Sequence, residues 1–204
     1  MDKKRLLIIG AGGHGKVVFD IAAKCGYLSI GFLDDADENN PLVLAGVSDF
    51  KKYINEAEFF VAIGNSRVRE KILSDLIANG AEIATLIHPN AVVAQNVQIG
   101  CGTVVMASAV INPDTFIGDG VIINTSSSVD HDCKVADFCH VSVGSHLCGT
   151  VNVDSHTWIG AGATVINNIN ICSDCMIGAG AVVVSDINVS GVYVGVPAKF
   201  IKKL

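Results

Sequence analysis

The segment Ser126-Ser127-Ser128-Val129-Asp130-His131-Asp132-Cys133 places a histidine between two carboxylates, the grouping in this chain best suited to moving a proton. A carboxylate beside an imidazole favours the charged ring, which makes the neutral ring a competent general base near neutral pH. Along a regular strand the side chains alternate, and Asp130 and Asp132 would then point away from His131. The pairing therefore requires a corner here, and the residues alone leave a proton-transfer site and a solvated polar turn both open. His140 stands further along, apart from any carboxylate. No pair of histidines shares a repeat column with an acid, so no metal site is expected.

A second constellation lies near the start. A strand expected over residues 3–9 ends in Leu6-Leu7-Ile8-Ile9, runs into Gly10-Ala11-Gly12-Gly13-His14-Gly15, and is followed by Val17, Val18, Ile21 and Ala22 at helical spacing. A strand, a glycine loop and a helix in that order present free backbone N–H groups to an anion such as a phosphate. A second strand over 29–33 ends at Asp34-Asp35, where nucleotide-binding folds place a carboxylate against ribose hydroxyls. A third strand is expected over 59–63, ending in Gly64-Asn65. A helix over 67–79 closed by Gly80 and a short strand over 82–86 follow. Residues 1–87 thus fit one Rossmann-like, mononucleotide-binding half with three or four strands.

What must position the His131 grouping is a repeat. Every sixth residue from 93 to 189 is Ile, Val or Leu. So short a repeat cannot bury its own apolar side chain, and successive copies must stack as a solenoid. Residues 88–204 are therefore expected to form a triangular parallel β-helix of hexapeptide repeats, with three hexads per coil. Gly100, Gly118, Gly160 and Gly178 are expected to turn its corners. Residues eighteen apart then stand in one column, which puts Ala161 beneath Ala179 and leaves a groove for a long, thin ligand.

Composition narrows the function. The 14 Lys and Arg against 20 Asp and Glu give a net charge of −6, without the basic excess of a nucleic-acid binder. Half the residues are hydrophobic (50%), but no apolar run approaches the ~20 residues of a membrane helix. The first residues lack a signal-peptide pattern, so the expected location is cytoplasmic. Cys133, Cys139 and Cys175 fall at a repeat position otherwise held by small residues such as Thr103, Ala109 and Ser127, and are expected to pack inside. Cys172-x-x-Cys175 has no second pair at zinc-site spacing, which favours packing over metal or redox chemistry.

Several segments carry a family resemblance: the glycine loop, Phe32-Leu33-Asp34-Asp35, Ala62-Ile63-Gly64-Asn65, Asn124-Thr125-Ser126-Ser127, His131-Asp132-Cys133, His140-Val141-Ser142-Val143-Gly144 and Gly195-Val196-Pro197-Ala198-Lys199. On these the chain resembles the bacterial left-handed β-helix acetyltransferases of the PglD type, with the NeuD-type sialic acid O-acetyltransferases as close relatives. The resemblance implies acetyl-CoA-dependent N-acetylation of a UDP-linked 4-amino-deoxysugar by a homotrimer whose active sites lie between adjacent prisms. It implies His131 as general base and Asp132 as the residue that raises its basicity, where the family often has Glu. His140 would contact acetyl-CoA near its thioester, with Ala161 and Ala179 along the pantetheine. Gly12, Gly13, His14, Asp34, Asp35 and Gly64 would hold the uridine nucleotide. Within the same chemistry stand O-acetylation of a sugar such as sialic acid and N-acetylation of a GDP- or dTDP-linked sugar. A nucleotide-sugar-binding trimeric scaffold is the non-enzymatic alternative.

Overall fold

The computed structural model describes residues 5–36 and 40–204, and the chain divides into two compact units, 1–89 and 90–204. In the first unit, β1 (Arg5–Ile9), α1 (Gly13–Lys24), β2 (Ile30–Leu33), β3 (Val43–Ala45), β4 (Ala57–Val61), α2 (Ser66–Ala78) and β5 (Glu82–Ile83) follow one another. Lys3 and Lys4 of the expected first strand lie outside the described residues. The strands pair in parallel in the order β3-β2-β1-β4-β5. This is a five-stranded Rossmann-like half, one strand more than the sequence suggests.

Leu6, Leu7, Ile8 and Ile9 are wholly buried, as an unbroken apolar run in a central parallel strand requires. Gly15 lets α1 approach that strand: a Cβ there would lie 2.0 Å from the carbonyl oxygen of Gly10. Each helix ends in a left-handed glycine, Gly26 after α1 and Gly80 after α2. The next N–H then reaches back to a helix carbonyl, Tyr27 to Ala22 at 3.2 Å and Ala81 to Leu76 at 3.0 Å. The strand expected over 82–86 breaks in two, because pairing with β4 stops at Ile83. Strand β3 and the 3₁₀ helix Val47–Tyr53 beside it were not foreseen, being too short to carry a period.

The second unit is a parallel β-helix of two- to four-residue strands. One face stacks Val92–Val93, Val110–Ile111, Ser128–Val129, His146–Leu147, Thr164–Val165 and Val182–Val183 in six rungs. A second carries Gln98–Ile99 through Asn170–Ile171, and a third includes Ile122–Ile123, His140–Val141 and Trp158–Ile159. The hexad residues from Val105 to Val183 fill the core. Thr103, Ala109, Ser127, Cys133, Cys139 and Cys175 lie among them, as expected for small interior residues.

Two details differ from the expected repeat. The glycines after hexad Ile residues do not make the corners. A left-handed residue two places later does, and it is often not glycine: Ser126, Asp132, Phe138, Thr150 and His156 all have φ between 56° and 63°. Gly100, Gly118 and Gly160 serve close stacking instead, since a Cβ on any of them would lie within 2.6 Å of the coil above. The register also slips at the end, where Val189 is 56% exposed and Ile187, 5% exposed, pairs with Ile171 in its place. The cause is a tighter corner in which the Asp186 carboxylate accepts the N–H of Asn170 at 2.8 Å.

Candidate active site

His131 and Asp132 form the corner between the faces of Ser128–Val129 and Lys134–Val135. Because Asp132 adopts φ +57°, its side chain turns back alongside that of its neighbour. His131 Nδ1 lies 2.7 Å from Asp132 Oδ2, so in the neutral ring Nδ1 carries the proton and Nε2 the basic lone pair. The hydrogen bond to Asp132, helped by the charges of Asp130 and Asp132, holds the ring above the ordinary histidine value. Both side chains are more than half exposed, which leaves room for a substrate.

Asp130 takes no part through its own contact with the ring. Its Oδ1 accepts the backbone N–H of His131 at 2.8 Å and the amide of Asn112 at 2.7 Å, which pins the corner from below. These two bonds hold the Asp130 carboxyl below its ordinary value.

A groove of about 450 Å³ is lined by His140, Trp158, Gly160, Ala161, Gly178 and Ala179 with five neighbours. The column of small residues expected from the eighteen-residue period thus does make a groove. Asn124 orients His140: its Oδ1 accepts the N–H of Thr125 at 2.8 Å, so its Nδ2 donates to His140 Nε2 at 3.0 Å. The Trp158 ring stacks on His140 at 5.1 Å and donates its N–H to Ser142. The eighteen-residue column rule puts Trp158 over His140, as the register has it, but no site role was expected of Trp158 or of Asn124. His131, at the corner between the first and second faces, does not line this groove, whereas His140 lies on the third face.

In the first unit, the glycine loop and residues 62–64 follow β1 and β4, the strands between which the sheet order reverses. Such a switch point is where open α/β sheets bind ligands. Gly12 caps α1 without a side-chain hydrogen bond, and a Cβ on Gly12, Gly13 or Gly64 would meet nothing within 4 Å. Packing does not demand these glycines, and they leave the helix N–H groups open to an anion. Asp34 is tied down on both oxygens, by the N–H groups of Ala11 and Ala36 at 2.7 Å each, and so staples the loop. Asp35 accepts the N–H of Val47 and lines a cavity of about 350 Å³.

Arg69, 1% exposed, is the residue that sequence reasoning missed here. Its Nη1 donates to the carbonyls of Ile63 at 2.7 Å and Gly64 at 2.9 Å, fixing the loop after β4. The signal was present: Arg69, Leu73 and Leu76 share the buried face of α2.

His14 stands in the first turn of α1, its Nε2 buried and without a hydrogen bond. Burial, and secondarily Arg69, push its pKa down to about 4. At pH 5 the unfolded chain therefore binds a proton that the folded one refuses. Stability falls as the pH drops from about 6.5 and levels off near 4, by about 3 kcal/mol in total. His14→Gln removes this component, which urea titrations of both proteins between pH 7 and 4 will measure as a flatter dependence.

Among the described residues no group of three or more His, Cys, Asp or Glu converges as a metal site, and no helix is long and apolar enough to cross a membrane.

The family description "PglD N-terminal domain" matches residues 5–76. Over 98% of this chain and 100% of the other, the structure superposes on the acetyltransferase domain of PglB from Neisseria gonorrhoeae, with 39% identity and a TM-score of 0.94. That domain has also been solved with acetyl coenzyme A. PerB from Caulobacter crescentus, solved with CoA and GDP-perosamine, matches over 97% of both chains at 39% identity and a TM-score of 0.92. The UDP-N-acetylbacillosamine N-acetyltransferase of Bacillus subtilis is 35% identical over 112 residues, 51% of this chain and 52% of that protein. The chain thus spans about half the length of this curated relative.

Proposed function

Because the chain belongs to the PglD-type left-handed β-helix acetyltransferases, we propose that it transfers an acetyl group from acetyl-CoA to the amine of a nucleotide-linked amino sugar. The observation that carries the reading is the 2.7 Å pairing of His131 with Asp132 at an exposed corner. In the proposed step the sugar amine attacks the thioester carbonyl carbon while His131 Nε2 takes the amine proton. Asp132 stabilises the imidazolium that forms. The tetrahedral intermediate then collapses, the C–S bond breaks, and the proton passes from His131 to the CoA sulfur. His140 stands near the thioester, and Ala161 and Ala179 flank the pantetheine.

The proposed division of labour gives residues 1–87 the nucleotide, through Gly12, Gly13, His14, Asp34, Asp35 and Gly64, and residues 88–204 the acyl transfer. Since His131 lies outside the His140 groove, we take the working unit to be a homotrimer with sites shared between adjacent prisms. The proposed acceptor is a UDP-linked 4-amino-deoxysugar, acetylated in the cytoplasm. The relative solved with GDP-perosamine makes a GDP-linked sugar the competing reading.

Initial rates with acetyl-CoA and UDP-, GDP- and dTDP-linked 4-amino sugars, each beside its 4-hydroxyl counterpart, test the proposal. Transfer to a UDP-amino sugar alone is the expected outcome. Transfer only to hydroxyl acceptors would make the protein an O-acetyltransferase, and sugar binding without calorimetric binding of acetyl-CoA would make it a scaffold.

A further inference from the structure

We infer that Gly149 is a positioning residue for His131, its missing side chain being the space into which the imidazole fits. The inference rests on the reading of His131 as the base.

Gly149 stands one coil above His131: the N–H of Thr150 donates to the carbonyl of His131 at 2.9 Å. The column continues downward to Pro113, whose carbonyl accepts the N–H of Asp132, and upward to Asn167, since Asn168 N–H donates to Gly149. In each of these corners the left-handed position is the following residue: Asp114, Asp132, Thr150 and Asn168 have φ between 57° and 63°. Gly149 itself is not left-handed, and Pro, His and Asn occupy the equivalent places in neighbouring coils. The turn therefore does not require glycine.

The ring does. A Cβ on residue 149 would lie 2.7 Å from both Cε1 and Nε2 of His131, closer than carbon atoms approach without displacement. The third-nearest atom belongs to the same ring, Cδ2 at 3.4 Å, so the three closest neighbours of that point are all His131. Nε2 and Cδ2 lie across the ring from Nδ1, which Asp132 holds at 2.7 Å, and Cε1 is bonded to that same nitrogen. An imidazole is rigid, so pushing its Nε2 edge outward draws Nδ1 away from the carboxylate. The displaced atoms are the free end of an exposed side chain, and the fold can accommodate that movement. The proton-transfer geometry cannot.

Gly149→Ala therefore separates folding from chemistry. The expected protein keeps its thermal midpoint and its acetyl-CoA affinity. Its kcat falls by about 10- to 100-fold, as for an ångström-scale misplacement of a reacting group. Its acid limb in the kcat/KM pH profile also moves to lower pH. Asn167→Ala, one coil higher, leaves all of these unchanged. A nitrogen-15 titration of the His131 ring in the substrate-free protein gives a readout independent of turnover, with a lower midpoint expected in the variant. A wild-type kcat and acid limb in Gly149→Ala, beside an inactive His131→Asn, would overturn the role of Gly149 and leave the base intact. A lowered thermal midpoint with an unmoved ring titration would make the glycine merely structural. Full activity in His131→Asn would overturn the base assignment itself, and this inference with it.

Discussion

Replacing His131 by Ala is expected to lower kcat by about 10²- to 10⁴-fold, the usual contribution of a positioned general base. The side chain is more than half exposed and buries little on folding, so the thermal midpoint should stay near that of the unmodified protein. Acetyl-CoA affinity should also persist, because the groove is lined by other residues. The pH dependence carries the sign of the Asp132 contact. Asp132 holds the ring above its ordinary value, so the base form accumulates only as the pH rises past that raised value, and the acid limb of kcat/KM sits correspondingly high. Asp132→Asn keeps a polar partner but removes the charge. The limb should then move to lower pH, with a smaller loss of rate than in His131→Ala. Turnover within a few-fold of normal in His131→Ala would refute the mechanism, and an unmoved limb in Asp132→Asn would dismiss Asp132 from it.

The second large effect concerns the groove. Ala161 and Ala179 are exposed and stand one over the other, with the N–H of Gly180 bonded to the carbonyl of Ala161 at 2.9 Å. Changing both to Leu puts branched side chains into the space beside Gly160 and Gly178, where the pantetheine is proposed to run. Overpacking of this kind costs about 1–3 kcal/mol, or roughly 5- to 150-fold in affinity. The expected double variant has a raised KM for acetyl-CoA and nearly normal kcat at saturation, since His131 is untouched. Calorimetric titration with CoA provides the check. Unaltered affinity would move the cofactor elsewhere on the prism.

The period of six made the prism legible because one physical demand, burial of a single apolar residue per strand, recurs without variation. The column arithmetic that follows from it located Ala161 over Ala179 and His140 under Trp158, and the register bears out both pairings. It failed at Val189, where Asp186 shortens the last coil: the apolar residue was in sequence register but a polar corner decided which residue turned inward. It also misassigned the corners. Phe138 and His156 carry no compositional mark of left-handed backbone, yet both adopt it, stacked on each other at 5.5 Å. In the first unit, the strand–loop–helix order was readable from glycine and apolar spacing. The engagement of Asp34 with Ala11 was not, because it joins residues 23 apart, and the burial of Arg69 showed only as a charge on the same helix face as Leu73 and Leu76.

The uniform eighteen-residue register has a consequence for how such a protein can change length. From Val92 to Val183 each strand hydrogen-bonds to strands one coil away, and the inward and outward roles of neighbouring residues are fixed by that step. One residue added within a strand turns the rest of that strand's side chains to the opposite face unless a corner bulges to absorb it. A whole coil added or removed would restore the alignment above and below it. The prism therefore changes length most simply by whole coils, and the step of sixteen from Ile171 to Ile187 marks the one place in it where a departure from eighteen is absorbed among the described pairings.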